Sequence, residues 1–244
     1  MRKAVLLPDI HFPEHSIFCM RLVLAFLKDF QPNIIVYQGD QLSLDMISFW
    51  NKGKPGNKEG KRLKDEVLDF NKHILLPHEK AVPKAKRIWL TGNHENRAYM
   101  YGNENPAMKG LIEPDLILDL RSRGYKIIHN NGQYRLGKLR VIHGFYWNLH
   151  HAKKTVDIFE NSVVYGHVHN PQVHCKMSPV DVNNYHIATA LGCLGELAPG
   201  YKAGKPTRWI NQFGVVYIYE NNDFSLYPVT ITKSGFCFND KHYK

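Results

Sequence analysis

The sequence predicts an α/β protein with two sheets. Three observations carry that prediction. Up to Leu120, short apolar strands alternate with helices of amphipathic period, the β-α-β pattern that builds parallel sheets. Near Gly124 the long helices stop and short strands follow one another. Five apolar strands end in Asp, Asn or His, four of them beside a glycine, and open α/β sheets place their sites at such ends.

In chain order, residues 3–7 read as the first strand, followed by Pro8-Asp9-Ile10-His11. Ser16 is placed to cap a helix whose apolar residues Ile17, Met20, Val23, Leu24 and Leu27 recur at helical spacing. Gln31-Pro32-Asn33 ends it, and 34–37 form a second strand closing on Gly39-Asp40. The β-α-β connection makes the two strands parallel, so Asp9, His11 and Asp40 share one edge. Residues 41–50 read as a loop with a short helix and 51–60 as an exposed loop. Residues 61–83 have helical period, with Pro77 ending or kinking the helix. Residues 87–90 form a third strand that feeds a tight loop, Thr91-Gly92-Asn93-His94-Glu95. A helix and loop over 96–108 and a short helix over 115–120 complete this half.

Beyond Tyr125 the expected strands are 126–128, 133–136, 139–142, 162–165, 185–188, 214–219, 224–229 and 236–238, with a helix at 153–159 and a hairpin turn at Asn221-Asn222. Two of these strands run into His143-Gly144 and Gly166-His167-Val168-His169. There is no internal repeat, low-complexity tract or linker, so 1–244 reads as one domain holding two sheets that divide near Gly124.

Among the 244 residues, 43% are hydrophobic and 22% charged, the composition of a globular protein able to bury a large core. No apolar run approaches the roughly 20 residues needed to span a bilayer, and residues 4–7 are too few for a secretory leader. No membrane association is expected. Cys19, Cys175, Cys193 and Cys237 are widely spaced, so they read as reduced thiols in a cytoplasmic protein. The net charge of +10 suits an anionic partner such as nucleic acid, or a basic solvated surface.

Any one of these strand ends has an ordinary reading as a turn or a packed histidine. Together, the blocks D-x-H at Asp9 and His11, G-D at Asp40, G-N-H-E at 92–95, H-G at His143 and G-H-x-H at His167 and His169 resemble the calcineurin-like metallophosphoesterases. The resemblance covers residues 5–169. It implies a four-layer α/β/β/α sandwich of two mixed sheets flanked by helices, with a binuclear metal site at the sheet edge. It also implies that Asp9, His11 and His169 bind one ion, that Asn93, His143 and His167 bind the other, and that Asp40 bridges them. The expected ions are two divalent cations, Mn²⁺ first, with Fe, Zn²⁺ and Ni²⁺ open to the same mixed carboxylate, imidazole and amide donors. The implied activity is phosphoester hydrolysis by a metal-bridging hydroxide, with His94 as general acid.

The pattern departs from the protein phosphatases of that family, whose second block is G-D-x-x-D-R-G. Ser43 stands where the second Asp is expected, and the Arg-Gly is absent. This leaves open what orients His94. Asp45 is a candidate for that support. Arg97 is a candidate phosphate ligand, or else a solvated arginine at a helix start. The overall pattern is closest to compact phosphoesterases of phages and bacteria related to the nuclease subunit of double-strand-break repair complexes; a phage-encoded copy would work in the host cytoplasm. Lysines and arginines cluster in 52–64, and Tyr201, Lys202, Lys205, Arg208 and Trp209 share another loop. Phe145, Tyr146 and Trp147 follow His143. Basic groups beside aromatic rings suit a DNA or RNA phosphodiester. A phosphomonoesterase or protein Ser/Thr phosphatase with the same metal core is the alternative.

Overall fold

The computed structural model describes residues 1–181, 184–202 and 204–244, with side chains for all of these but Asn57 and Tyr201. Strand β1 (Arg2–Leu7) runs through the middle of the first sheet, and its last four residues are buried. Helix α1 (Ile17–Phe30) follows, its first turn closed by the Ser16 Oγ, which accepts from Cys19 N at 3.3 Å. Gln31 ends it in a left-handed conformation and leads to β2 (Ile34–Tyr37), buried throughout. Short 3₁₀ turns at Asp45–Ile47, Phe49–Asn51 and Pro55–Lys58 replace the single short helix expected before residue 60.

The helical stretch over 61–83 is continuous in direction but not in pitch. Helices α2 (Leu63–Phe70) and α3 (Leu76–Ala81) are joined by a π-helical turn, Asn71–Leu75. Pro77 has no N–H to donate, and its ring would crowd the carbonyl one turn earlier. The wider turn ahead of it relieves both, with Leu76 N–H reaching back to Asn71 O. Pro77 therefore neither ends nor breaks the helix.

Strand β3 (Lys86–Leu90) leads straight into α4 (Asn93–Glu104), so Asn93 and His94 lie in a first helical turn and not in a loop preceding one. The short helix α5 (Pro114–Ile117) precedes β4 (Tyr125–Ile128). Then come β5 (Tyr134–Leu136), β6 (Leu139–Val141), α6 (His151–Phe159), β7 (Val163–Tyr165), β8 (Gln172–Met177) and β9 (Tyr185–Ala190). The chain closes with β10 (Gln212–Ile218), β11 (Phe224–Thr230), β12 (Phe236–Phe238) and β13 (Lys241–Tyr243).

The first sheet has the order β11-β10-β1-β2-β3-β4, parallel from β1 to β4 and antiparallel where β10 and β11 join. The second has the order β5-β6-β7-β9-β8 and is also mixed. The sheets do not divide near Gly124: β4, just after it, completes the first sheet, and β10 and β11 return to that sheet's other side. Strand β8, absent from the sequence-based expectation, is an edge strand with its residues mostly exposed.

Three apolar layers hold these elements. Val5, Leu7, Ile35, Tyr37 and Trp89 face α1 to α3, meeting Phe26, Leu27, Phe70 and Leu75. On the opposite face, Ala4, Leu6, Ile34, Val36, Ile88 and Leu90 pack against Leu136, Leu139, Val141 and Val164 of the second sheet. Beyond that sheet, Val163, Tyr165, Ala188 and Ala190 bury Ala152 and Val156 of α6. The layering is α/β/β/α, in agreement with the metallophosphoesterase fold expected above. Covering both faces of β1 to β3 is why those strands read as unbroken apolar runs and not as alternation. Among the described residues no helix is long and apolar enough to cross a membrane. The four cysteines are free.

The terminal β12–β13 hairpin packs on α1 through Phe26. That ring lies 4.8 Å from Phe30, 5.2 Å from Phe213, 5.3 Å from Phe238 and 5.5 Å from Tyr243. Phe236 is a fifth ring, 5.8 Å away. Phe26→Ala is expected to destabilise the protein by about 3–5 kcal/mol, because truncation leaves a cavity that these five rings line. Urea unfolding checks this, and an unchanged midpoint would contradict it.

Candidate metal centre

The strand ends are drawn together by backbone hydrogen bonds that continue past the strands. Asp9 N donates to Gly39 O at 3.2 Å, His11 N to Asp40 O at 2.9 Å and Phe12 N to Gln41 O at 2.9 Å, which extends the β1–β2 pairing into the loops. In the second sheet, Gly166 N donates to His143 O at 2.8 Å. His167 N joins the two sheets by donating to both carboxylate oxygens of Asp9, at 3.0 and 2.9 Å. Asp9, His11, Asp40, His167 and His169 all have left-handed backbones, with φ of 48°, 53°, 52°, 68° and 60°. Asp and His tolerate this region better than most residues, and such strain persists only where the surroundings over-determine it. Two glycines permit the close approach. A Cβ on Gly92 would run into Asp40 Oδ1, and one on Gly166 into Asp9 Oδ2.

All seven predicted ligands and His94 come together here. Three groups, buried but for the half-buried His94 and His167, each offer ligand atoms within 4.8 Å of one another: Asp9, His11 and His169; Asp40, His143 and His167; and His11, Asp40 and His94. The first two correspond to the two expected ligand sets, and Asp40 stands between them. Asn93 completes the second, with Oδ1 3.0 Å from His143 Nε2. His143 Nε2 is 3.3 Å from Asp40 Oδ2, and His169 Nε2 is 3.3 Å from Asp9 Oδ1. His11 Nε2 faces His169 Nε2 at 3.0 Å. Donor atoms bonded to one ion at roughly 2.0–2.2 Å lie about 3.0–3.4 Å apart, so these separations are those of neighbouring ligands. Nδ1 of His167 and of His169 are buried without a hydrogen-bond partner. The mixed carboxylate and imidazole donors of these groups fit a cation-binding site.

The charges agree with that use. Burial opposes ionisation of Asp40, but the imidazoles of His143, His94 and His11 overcome it and hold the carboxyl well below the usual range. Burial lowers His11 well below its ordinary value, and His94 and His169 lower it further, so His11 is a neutral donor. Burial would also lower His143, but the adjoining Asp40 charge outweighs it and raises this imidazole to about 9. His143 Nδ1 donates to Gln38 O at 3.1 Å, which fixes the ring and points Nε2 at Asp40 and Asn93.

The hydrogen bonds that orient the His94 ring are not to a carboxylate. Its Nδ1 donates to the main-chain carbonyl of Ser43 at 2.9 Å, and Nε2 faces Arg97 Nη2 at 3.0 Å. The Ser43 side chain points elsewhere, donating to Glu14 Oε2 at 2.5 Å. Asp45 does not support His94. It pairs with Arg97 Nη1 at 3.2 Å, and the same nitrogen donates to Ser43 O at 2.6 Å. Arg97 is thus held against Nε2 of His94 and is not a solvated arginine. Burial, then the Arg97 charge, lower the His94 pKa against the pull of Asp40.

Glu95 has a role that the motif did not reveal. It is 1% exposed, and its carboxylate accepts four backbone N–H groups: Gln41 at 2.7 Å and Leu42 at 2.9 Å on one oxygen, Gly92 at 2.8 Å and Asp40 at 3.0 Å on the other. Burial and the neighbouring Asp40 push its carboxyl up to about 7, while these donors pull it back. Four donors aimed at two oxygens leave no acceptor for a carboxyl proton, so the ionised form fits. The available signal was an acid three residues after a glycine N-cap, the position that reaches back to the cap N–H. Glycine lacks a side chain to cap the helix in return, and Asp40 Oδ1 does so from the other loop, accepting from His94 N at 2.8 Å.

No family model matches the chain, and no curated protein matches it. Among solved structures the chain is similar to YfcE, a phosphoesterase from E. coli, with 17% identity over 94% of this chain and 100% of that one and a TM-score of 0.37. A second solved structure aligns at 10% identity over 93% of this chain and 98% of that chain, with a TM-score of 0.34.

With its pKa near 9, His143 carries a proton at pH 7.5 in the metal-free protein, and a ligating imidazole must be neutral. Metal loading at pH 7.5 is therefore expected to release that proton, and affinity should rise with pH by up to about tenfold per unit until the pKa is passed. Titration calorimetry in buffers of different ionisation enthalpy measures the release. Binding with no proton released would exclude His143 as a ligand.

Proposed function

We propose that this chain is a metal-dependent phosphoesterase that hydrolyses phosphodiester bonds of nucleic acid. The observation that carries the reading is the position of Asp40, buried between two ligand clusters and within 3.9 Å of His11 Nε2, 3.3 Å of His143 Nε2 and 3.8 Å of His94 Nε2. Asp9, His11 and His169 hold one ion, and Asn93, His143 and His167 the other, with Asp40 between them. The donor set suits Mn²⁺, and also Fe, Zn²⁺ or Ni²⁺. Ions bound there supply charge neutralisation for the phosphoryl oxygens and an activated water.

The remaining chemistry belongs to side chains. Arg97 faces His94 and presents a guanidinium that matches a phosphate. A phosphate drawing Arg97 away frees His94 Nε2 to take up a proton from solvent, and its negative charge favours the imidazolium. His94 then gives the Nε2 proton to the departing alkoxide as general acid, while the Ser43 carbonyl holds Nδ1 and keeps the ring aimed.

The nucleic-acid preference rests on charge. The chain carries +10 overall, and Lys52, Lys54, Lys61, Arg62 and Lys64 are exposed along the segment that leads on from Asp45. Lys205 and Arg208 are exposed in the loop before Trp209, whereas the Tyr201 side chain of that loop lies outside the described residues.

A panel of DNA, RNA, bis(p-nitrophenyl) phosphate and phosphopeptide, assayed with Mn²⁺, Fe, Zn²⁺ and Ni²⁺, tests the reading. Nucleic acid and the diester should be cleaved. Asp40→Ala should abolish turnover, and His94→Ala should reduce kcat by roughly 10²- to 10⁴-fold. Selective release of phosphate from the monoester would replace this reading with a phosphomonoesterase or protein Ser/Thr phosphatase.

A further inference from the structure

The loop that begins at His143 carries an aromatic residue that folding does not explain. Trp147 is 78% exposed, whereas Trp89 is 1% exposed in the core. The neighbours of Trp147 are anchored. Phe145 stacks on Phe159 with centroids 5.8 Å apart and rings within 18° of parallel. Tyr146 lies beneath Lys154, whose Nζ is 4.4 Å from the ring centroid. On the other side, Leu149 O accepts from Gln172 Nε2 at 2.9 Å, and Gln172 Oε1 accepts from Ala152 N at 2.8 Å. The loop is pinned on both sides of an indole that stands in water.

That indole borders the metal centre. Its centroid is 6.2 Å from that of His167, the rings being inclined at 63°. Trp209 occupies a different position: it meets the His169 ring at 4.3 Å and carries Lys202 Nζ 4.6 Å from its centroid, so it braces a ligand and its ring is engaged. Trp147 keeps most of its surface free.

We propose that Trp147 is a stacking platform for a nucleobase, and that the natural substrate presents an unpaired nucleotide at the metal centre, as a single strand or a frayed end. The inference rests on the nucleic-acid reading given above. Inside a duplex both faces of a base are covered by its neighbours, so an interior base offers a face to an indole only when it is unpaired and drawn out of the stack. The chain's positive charge serves the phosphates, and an uncharged ring next to His167 serves the base beside the scissile phosphate. Any base provides a π-face, so the platform selects strandedness and not sequence.

Competition against a small ester tests this in the loaded enzyme. The Mn²⁺-loaded protein is given bis(p-nitrophenyl) phosphate, with a short oligothymidylate or an abasic oligomer of the same length as inhibitor. The wild type should be inhibited roughly tenfold better by the oligothymidylate, in keeping with one stacked base. Trp147→Ala should lose that preference and Trp147→Phe should retain most of it, and as a ratio the preference does not depend on the absolute rate of each variant. Equal inhibition by the two oligomers in the wild type, or an undiminished preference in Trp147→Ala, would overturn the platform. Turnover of the ester with neither oligomer inhibiting would overturn the nucleic-acid reading along with it, and no turnover of the ester at all would remove the phosphodiesterase premise.

Discussion

One buried carboxylate, that of Glu95, accepts four backbone N–H groups from the loops that follow β2 and β3. Without it those donors would be buried and unpaired, at about 1–3 kcal/mol each. With it, the two loops form one body, and Asp40 is delivered to the N-terminus of α4. There Asp40 uses Oδ1 to cap the helix at His94 N and leaves Oδ2 facing the imidazoles. The first turn of a helix favours a negative charge, so the same placement that closes the helix also keeps Asp40 ionised. Gly92 has no Cβ because Asp40 fills that space.

The same economy extends across the sheets. Asp9 holds the His167 backbone with both oxygens and faces His169, so the first strand of one sheet fixes the His167–His169 loop of the other. Left-handed backbones at Asp9, His11, Asp40, His167 and His169 are tolerated because hydrogen bonds hold the backbone at each. His94 is the least conventional member. Its orientation comes from a main-chain carbonyl, and Arg97, tethered by Asp45, occupies its Nε2 face. The groups expected to move during reaction are therefore Arg97 and the proton on His94, with the ligands staying in place.

Much of this was legible in the sequence. Strands β1, β2 and β3 are short apolar runs that stop at polar residues, and the order of those residues picked out the side chains that the fold brings together. The helix at 17–30 had both its period and its Ser16 cap. What was not legible depended on pairing and on backbone atoms. Strand β4 follows the change in composition at Gly124, yet hydrogen-bonds to β3, and no residue type records that. Strand β8, with Val173 at 63% and Met177 at 62% exposure, lies at an edge and lacks a buried face to impose a pattern. The support of His94 was sought among carboxylates because side chains are what a sequence shows, while the actual acceptor is a carbonyl that every residue possesses.

The central claim is that five strand ends make one two-ion site centred on Asp40. Anomalous diffraction at the manganese edge, from crystals of the Mn²⁺-loaded protein, tests it most directly. Two peaks are expected, one within coordination distance of Asp9, His11 and His169, the other within coordination distance of Asn93, His143 and His167, with Asp40 touching both. A single peak, or peaks that leave Asp40 untouched, would contradict it.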